Sequence, residues 1–99
     1  MAGFLTLARP YPQTPEISWL AVHARDRRRG LGKALIEAAS EKLRADGDRL
    51  VVVKTLSDRI DPGPEYAETR AFYLAMGFVP VVELDLHPDN PIQLMALPL

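Results

Sequence analysis

Arg25, Arg27, Arg28 and Arg29 run directly into Gly30, Leu31, Gly32 and Lys33, so the densest positive charge of the chain meets two glycines. The chemistry suited to that stretch is the holding of an anion. From Leu31 to Asp46 the apolar residues Leu31, Leu35, Ala38, Ala39 and Leu43 recur at helical spacing, while Lys33, Glu37, Glu41 and Arg44 fall elsewhere. The glycines therefore stand at a helix beginning. A helix N-terminus carries free backbone N–H groups and roughly half a positive charge, so a phosphate or pyrophosphate is its natural ligand. Glycine at 30 and 32 lets the backbone approach that ligand and adopt the tight turn, and the arginines add charge around it. The competing reading is a solvated basic surface followed by an ordinary turn.

The rest of the chain narrows the choice. With 99 residues there is room for one core, so a single domain over residues 1–99 is expected. Twelve basic and thirteen acidic residues leave a formal net charge of -1. That balance argues against a partner that is nucleic acid or a membrane surface, because the basic cluster is local and no aromatic platform interleaves with it. With no cysteine there is no disulfide framework, thiolate nucleophile or sulfur-bound zinc, and the cytoplasm is the expected compartment. The start, "MAGFLTLARP", has too short an apolar run for a signal peptide or membrane span. His23 and His87 are not spaced as a metal pair, so no metal site is expected.

The elements that must position the basic loop follow from pattern. Phe4 to Ala8 reads as a strand ended by the proline-rich loop "RPYPQTP", and "ISWLAVH" as a central strand covered on both faces. Trp19 is accordingly expected in the core, as is Met95. Gly47 stops the first helix, and "RLVVVKT" follows as a buried strand. After the breaker-rich "SDRIDPGPE", a helix from about Tyr66 to Met76 closes at Gly77 in a left-handed cap, with Phe72 and Met76 on its buried side. "VPVVELDL" and "IQLMALPL" are strands joined by the turn "HPDNP". The order β-β-α-β-α-β-β describes an α+β (α/β) fold: a mixed, mostly antiparallel twisted sheet flanked by helices.

Arg27, Gly30 and Gly32 form R-x-x-G-x-G directly after the strand "WLAV", and this resembles the acetyl-coenzyme A pyrophosphate loop of the GNAT superfamily of N-acetyltransferases. "TRAFYLAMGF", Thr69 to Phe78, is similar to a later motif of that superfamily, in which a helix bearing Phe-Tyr ends in Gly-Phe before a strand. The resemblance covers nearly the whole chain, without the strand and helices that usually come first in the family. It implies acetyl-coenzyme A as cosubstrate and direct acetyl transfer to a primary amine of a small molecule or protein. A non-catalytic acyl-coenzyme A binding module, or a subunit of a larger assembly, is the alternative.

Carried over residue by residue, the resemblance assigns the cofactor to Arg27, Arg28, Arg29, Gly30, Leu31, Gly32 and Lys33, with the backbone of Leu20, Ala21 and Val22 along the pantetheine arm. Arg70 stands where many relatives place an asparagine that contacts the cofactor. Tyr73 matches the tyrosine that lies near the coenzyme sulfur and protonates the thiolate, for which a phenol of ordinary pKa about 10 is suited. Its competing reading is a packed helix tyrosine. Glu16 has an offset to Gly30 similar to that of a family general base, against the reading of a solvated strand-end carboxylate. The incomplete sheet exposes an edge, and a homodimer is expected to cover it.

Overall fold

The computed structural model describes residues 3–22, 30–57, 64–85 and 91–99. Along the chain run β1 (Gly3–Tyr11), β2 (Thr14–Val22), α1 (Leu31–Ala45), β3 (Leu50–Leu56), α2 (Pro64–Ala75), β4 (Val79–Leu84) and β5 (Ile92–Pro98). The element order is the expected one. The strands form one five-stranded sheet in the order β1-β2-β3-β5-β4, with antiparallel pairing of β1 to β2 and of β4 to β5. Two compact units divide the chain: residues 1–51 with 98–99, and residues 52–97. The turn "HPDNP" lies largely outside the described residues, as does most of "SDRIDPGPE".

In the first unit β1 and β2 form a hairpin on which α1 packs. The expected loop "RPYPQTP" is instead mostly strand, with only Pro12 and Gln13 in the turn. Pro10 and Pro15 are tolerated because both fall within a register shift between the pairs Ala8–Glu16 and Tyr11–Thr14, where the ladder is already interrupted. A second shift lies between Thr6–Trp19 and Leu7–Ile17, which leaves Ser18 as the extra residue of a bulge. The Ser18 hydroxyl is 2.8 Å from that of Thr6 and donates to the Thr6 carbonyl oxygen at 3.2 Å.

The bulge overturns one expectation. Trp19 is 69% exposed, not core, because the extra residue turns it onto the side of the hairpin away from Ile17, which is buried. On α1 the most deeply buried positions are Ile36, Ser40 and Leu43, whereas Leu31, Leu35 and Ala39 are half-buried and Ala38 is exposed. The apolar stripe is thus rotated by about one position from the expected one. Gly47, at φ 91°, ends the helix as expected: Asp48 N–H donates to the Leu43 carbonyl at 2.9 Å and Gly47 N–H to that of Arg44 at 3.1 Å. Arg9 ties β1 to this turn through paired bonds to the Asp48 carboxylate at 3.0 and 2.7 Å.

The second unit buries Val52 and Val53 of β3, Tyr73 of α2, Phe78, and Met95 of β5, which has no exposed surface. On α2 it is Tyr73 that is buried, while Phe72 and Met76 are only half-buried, contrary to the expected face. The aromatic rings explain why. Tyr73 lies edge-on to both Phe72 and Phe78, with ring centroids 5.4 and 5.2 Å apart, so Phe78 beyond the helix end draws the inward face toward Tyr73. At the end of β3 the buried Ser57 hydroxyl bonds the Glu83 carboxylate on β4, and its N–H donates to the Pro91 carbonyl at 2.9 Å.

Candidate acetyl-donor site

Gly30 begins α1 in the left-handed conformation at φ 79°. Its carbonyl accepts the Ala34 N–H at 3.0 Å, closing the first helical turn. No side chain caps this terminus, and the first turn holds no acidic residue. The amides of Leu31, Gly32 and Lys33 have no acceptor within the helix, as the geometry of any α-helix start requires. Among the described residues no side chain bonds or neutralises the positive end of the helix, an arrangement suited to an outside anion.

Space agrees with charge here. Gly30 is exposed, and a Cβ added to it would meet no heavy atom of the described residues within 4 Å. Gly32 is half-buried in the first turn of α1. Lys33 is exposed, with its ammonium 3.9 Å from the Glu37 carboxylate, a surface pair that holds it weakly. Arg27, Arg28 and Arg29 lie outside the described residues, as do His23 and His87. Among the described residues no group of three or more histidines, cysteines or carboxylates is gathered to hold a metal.

The strand before the loop reaches the helix start through a residue that the sequence reading passed over. Gly3 of β1 pairs with Val22, and a Cβ on Gly3 would sit 2.6 Å from the Ala21 carbonyl oxygen and 3.2 Å from Leu31 Cδ2. Only glycine lets β1 come so close to the end of β2 and the first residue of α1. Its signal in sequence was a glycine within an apolar run. Leu20, Ala21 and Val22 are half-buried and pair with Leu5, Phe4 and Gly3. Successive residues of a strand send their N–H and C=O to opposite edges, so part of this stretch directs its polar backbone away from β1. Glu16 lies in the same strand, half-buried and opposite Ala8.

In the second unit, α2 carries Arg70, half-buried, and Tyr73, which is 5% exposed. Burial pushes the Tyr73 phenol above its ordinary pKa, which keeps it protonated through the neutral range. No protein group bonds its hydroxyl among the described residues, yet no buried side-chain oxygen there lacks a partner. The hydroxyl tip thus opens outward while the ring is packed. The structure brings Glu16, Leu20 to Val22 and Gly30 to Lys33 into the first unit, and Arg70 and Tyr73 onto one helix of the second.

Residues 1–80 match the acetyltransferase (GNAT) domain family. The chain belongs to the GNAT family of acetyltransferases. In fold it is similar to a Desulfovibrio desulfuricans protein assigned to that family, with a TM-score of 0.84 and 26% identity over 99% of this chain and 61% of that one. Ard1 from Thermoplasma volcanium gives 0.79 and 24%, over 99% of this chain and 63% of its own. A GNAT-family acetyltransferase from Elizabethkingia anophelis, solved with acetyl-CoA bound, gives 0.82 and 18% over 100% of this chain and 69% of its own. The chain spans less than two thirds of the length of the first two of these proteins. No curated protein matches it in sequence. Among the described residues no helix is long and apolar enough to cross a membrane.

Proposed function

We propose that this chain transfers an acetyl group from acetyl-CoA to a primary amine by direct attack in a ternary complex. The observation that carries the reading is the uncapped start of α1, where Gly30 is left-handed, exposed and open around its missing Cβ. There the amides of Leu31, Gly32 and Lys33, with Arg27, Arg28 and Arg29, take the pyrophosphate, and Leu20 to Val22 run along the pantetheine arm, with Arg70 a further contact to the coenzyme. In the chemical step the amine nitrogen bonds the thioester carbonyl carbon and the carbon–sulfur bond then breaks. Glu16 accepts the proton that the amine loses, and Tyr73 gives its proton to the departing thiolate. The raised pKa of Tyr73 supports that role, because the group stays protonated at neutral pH. We place the reaction in the cytoplasm, on the cysteine-free composition, and assign the active form to a homodimer.

Isothermal titration of acetyl-CoA, followed by thiol release with a panel of amines, tests the reading. The wild-type chain is expected to bind acetyl-CoA and Gly32→Arg to lose it, since an arginine side chain would stand where the backbone must meet a diphosphate. Unchanged affinity in that variant removes the loop from the account. A second reading is an acyl-CoA binding module without turnover. Binding without thiol release on any amine of the panel would select it.

A further inference from the structure

Gly3 stands where three elements of the first unit meet: it opens β1, pairs with Val22 at the end of β2, and lies against Leu31, the first residue of α1. Its surroundings are crowded by backbone. A Cβ built on it would sit 2.6 Å from the Ala21 carbonyl oxygen and 3.2 Å from both Val22 Cα and Leu31 Cδ2. At Gly30 and Gly47 no heavy atom of the described residues comes within 4 Å of such a Cβ, and at Gly77 only a Leu97 methyl does. A methyl group can turn aside, whereas a paired strand cannot. Gly3 is also not one of the left-handed glycines, so lack of space, not its dihedrals, excludes a side chain there.

The crowding falls between the two stretches assigned to the coenzyme. Ala21 and Val22 belong to the strand along the pantetheine arm, and Leu31 to the helix start that takes the pyrophosphate. Acetyl-CoA must bridge both. We propose that Gly3 is a positioning residue of the donor site: its bare backbone lets the end of β2 and the start of α1 close to the separation that one coenzyme molecule spans. It acts through Ala21 and Leu31 and not by touching the coenzyme. The inference rests on the donor site proposed above and adds to it a residue outside the glycine loop.

Distances set the size of the effect. Ordinary contact begins near 3.4 Å, so a methyl group at position 3 would displace the Ala21 carbonyl by about 0.8 Å or lift the start of β1 from its ladder. Either outcome moves one wall of the site against the other. Binding groups need to be held within roughly 0.5 Å of their productive places, and a shift near 1 Å costs up to about 100-fold where the geometry is exact. A long flexible arm absorbs part of that, which leaves a loss of about tenfold in affinity.

Isothermal titration with two ligands tests the assignment. Acetyl-CoA reaches both walls, while ADP carries the pyrophosphate without the pantetheine arm and reaches only the helix start. Gly3→Ala is expected to weaken acetyl-CoA about tenfold and to leave ADP within about twofold of wild type. Gly47→Ala is the control, since it strains the same unit at φ 91° in open space and should leave both affinities as they were. Unchanged acetyl-CoA affinity in folded Gly3→Ala overturns the assignment. So does an equal loss for both ligands, or the same loss in Gly47→Ala, because each marks Gly3 as merely structural. Should Gly3→Ala not fold, Leu31→Ala decides: it removes the methyl that rests on Gly3, and wild-type acetyl-CoA affinity there overturns the assignment as well. A wild-type chain that binds neither ligand is a different failure, since it removes the donor site itself and Gly3 with it.

Discussion

Gly30 and Gly77 are both left-handed residues at the ends of helices, at φ 79° and 100°, yet they answer different needs. Around Gly77 the chain is closed. Phe78 N–H donates to the Tyr73 carbonyl at 3.0 Å, Gly77 N–H to that of Leu74 at 3.1 Å, and an added Cβ would meet Leu97 Cδ1 at 3.3 Å. That glycine satisfies the last carbonyls of α2 and fixes the end of the helix that carries Tyr73. Around Gly30 the described residues make no such crowding, and none of their side chains caps the amides that follow it. The same dihedral is structural where the backbone groups are spoken for and the space is filled. At Gly30 the described residues supply neither, and the proposed pyrophosphate contact would use both.

Substitutions can break this contrast. Gly77→Val should be the most damaging, costing about 3 kcal/mol of stability from positive φ in a β-branched residue together with the contact to Leu97. Urea unfolding measures it, and a loss under about 1 kcal/mol would mean that the cap is not needed. Tyr73→Phe keeps the edge-on packing and removes only the hydroxyl, so kcat should fall about 100-fold at nearly unchanged stability. Its pH profile is a second check. A raised phenol pKa means that wild-type turnover should not fall through loss of this proton until pH passes above about 10.

Gly30→Ala should cost only about 1 kcal/mol in stability, the backbone strain alone, while acetyl-CoA binding weakens by more than the Gly77 variants show. Equal binding in both would erase the distinction. The smallest effect is expected at Asp48. The guanidinium bonds of Arg9 hold its carboxylate below the usual range, so the pair stabilises the fold above the unfolded pKa of about 3.9 and loses that contribution as pH falls through the lower folded value. Asp48→Asn should therefore be less stable than wild type at neutral pH, and the two should converge in acid denaturation curves once pH has fallen below the lowered folded value of Asp48.

Much of the architecture was legible because it rests on local rules. Helical spacing after Gly30, the stops at Gly47 and Gly77, and the valines of β3 each follow from one short stretch, and all hold. The proline-rich "RPYPQTP" misled because proline excludes a ladder bond only where the ladder is regular, and here the register shifts around Pro10 and Pro15. Trp19 misled for the same kind of reason. Its apolar neighbours predict burial, but one extra residue at Ser18 decides which side of the hairpin it faces. Of the candidate site, the glycine spacing could be read, whereas the closeness of Gly3 to it depends on β1 lying beside Ala21 and Leu31.

By itself, then, the order of residues settles where helices begin and end, since dihedral freedom and backbone donors belong to neighbours in the chain. Strand register is different. It depends on partners distant in sequence, and a shift of one residue reverses every face. Pairing across the hairpin therefore decided that Phe4, Trp19 and Tyr11 fall on one side of it, and packing against Phe72 and Phe78 decided that the ring of Tyr73 is buried.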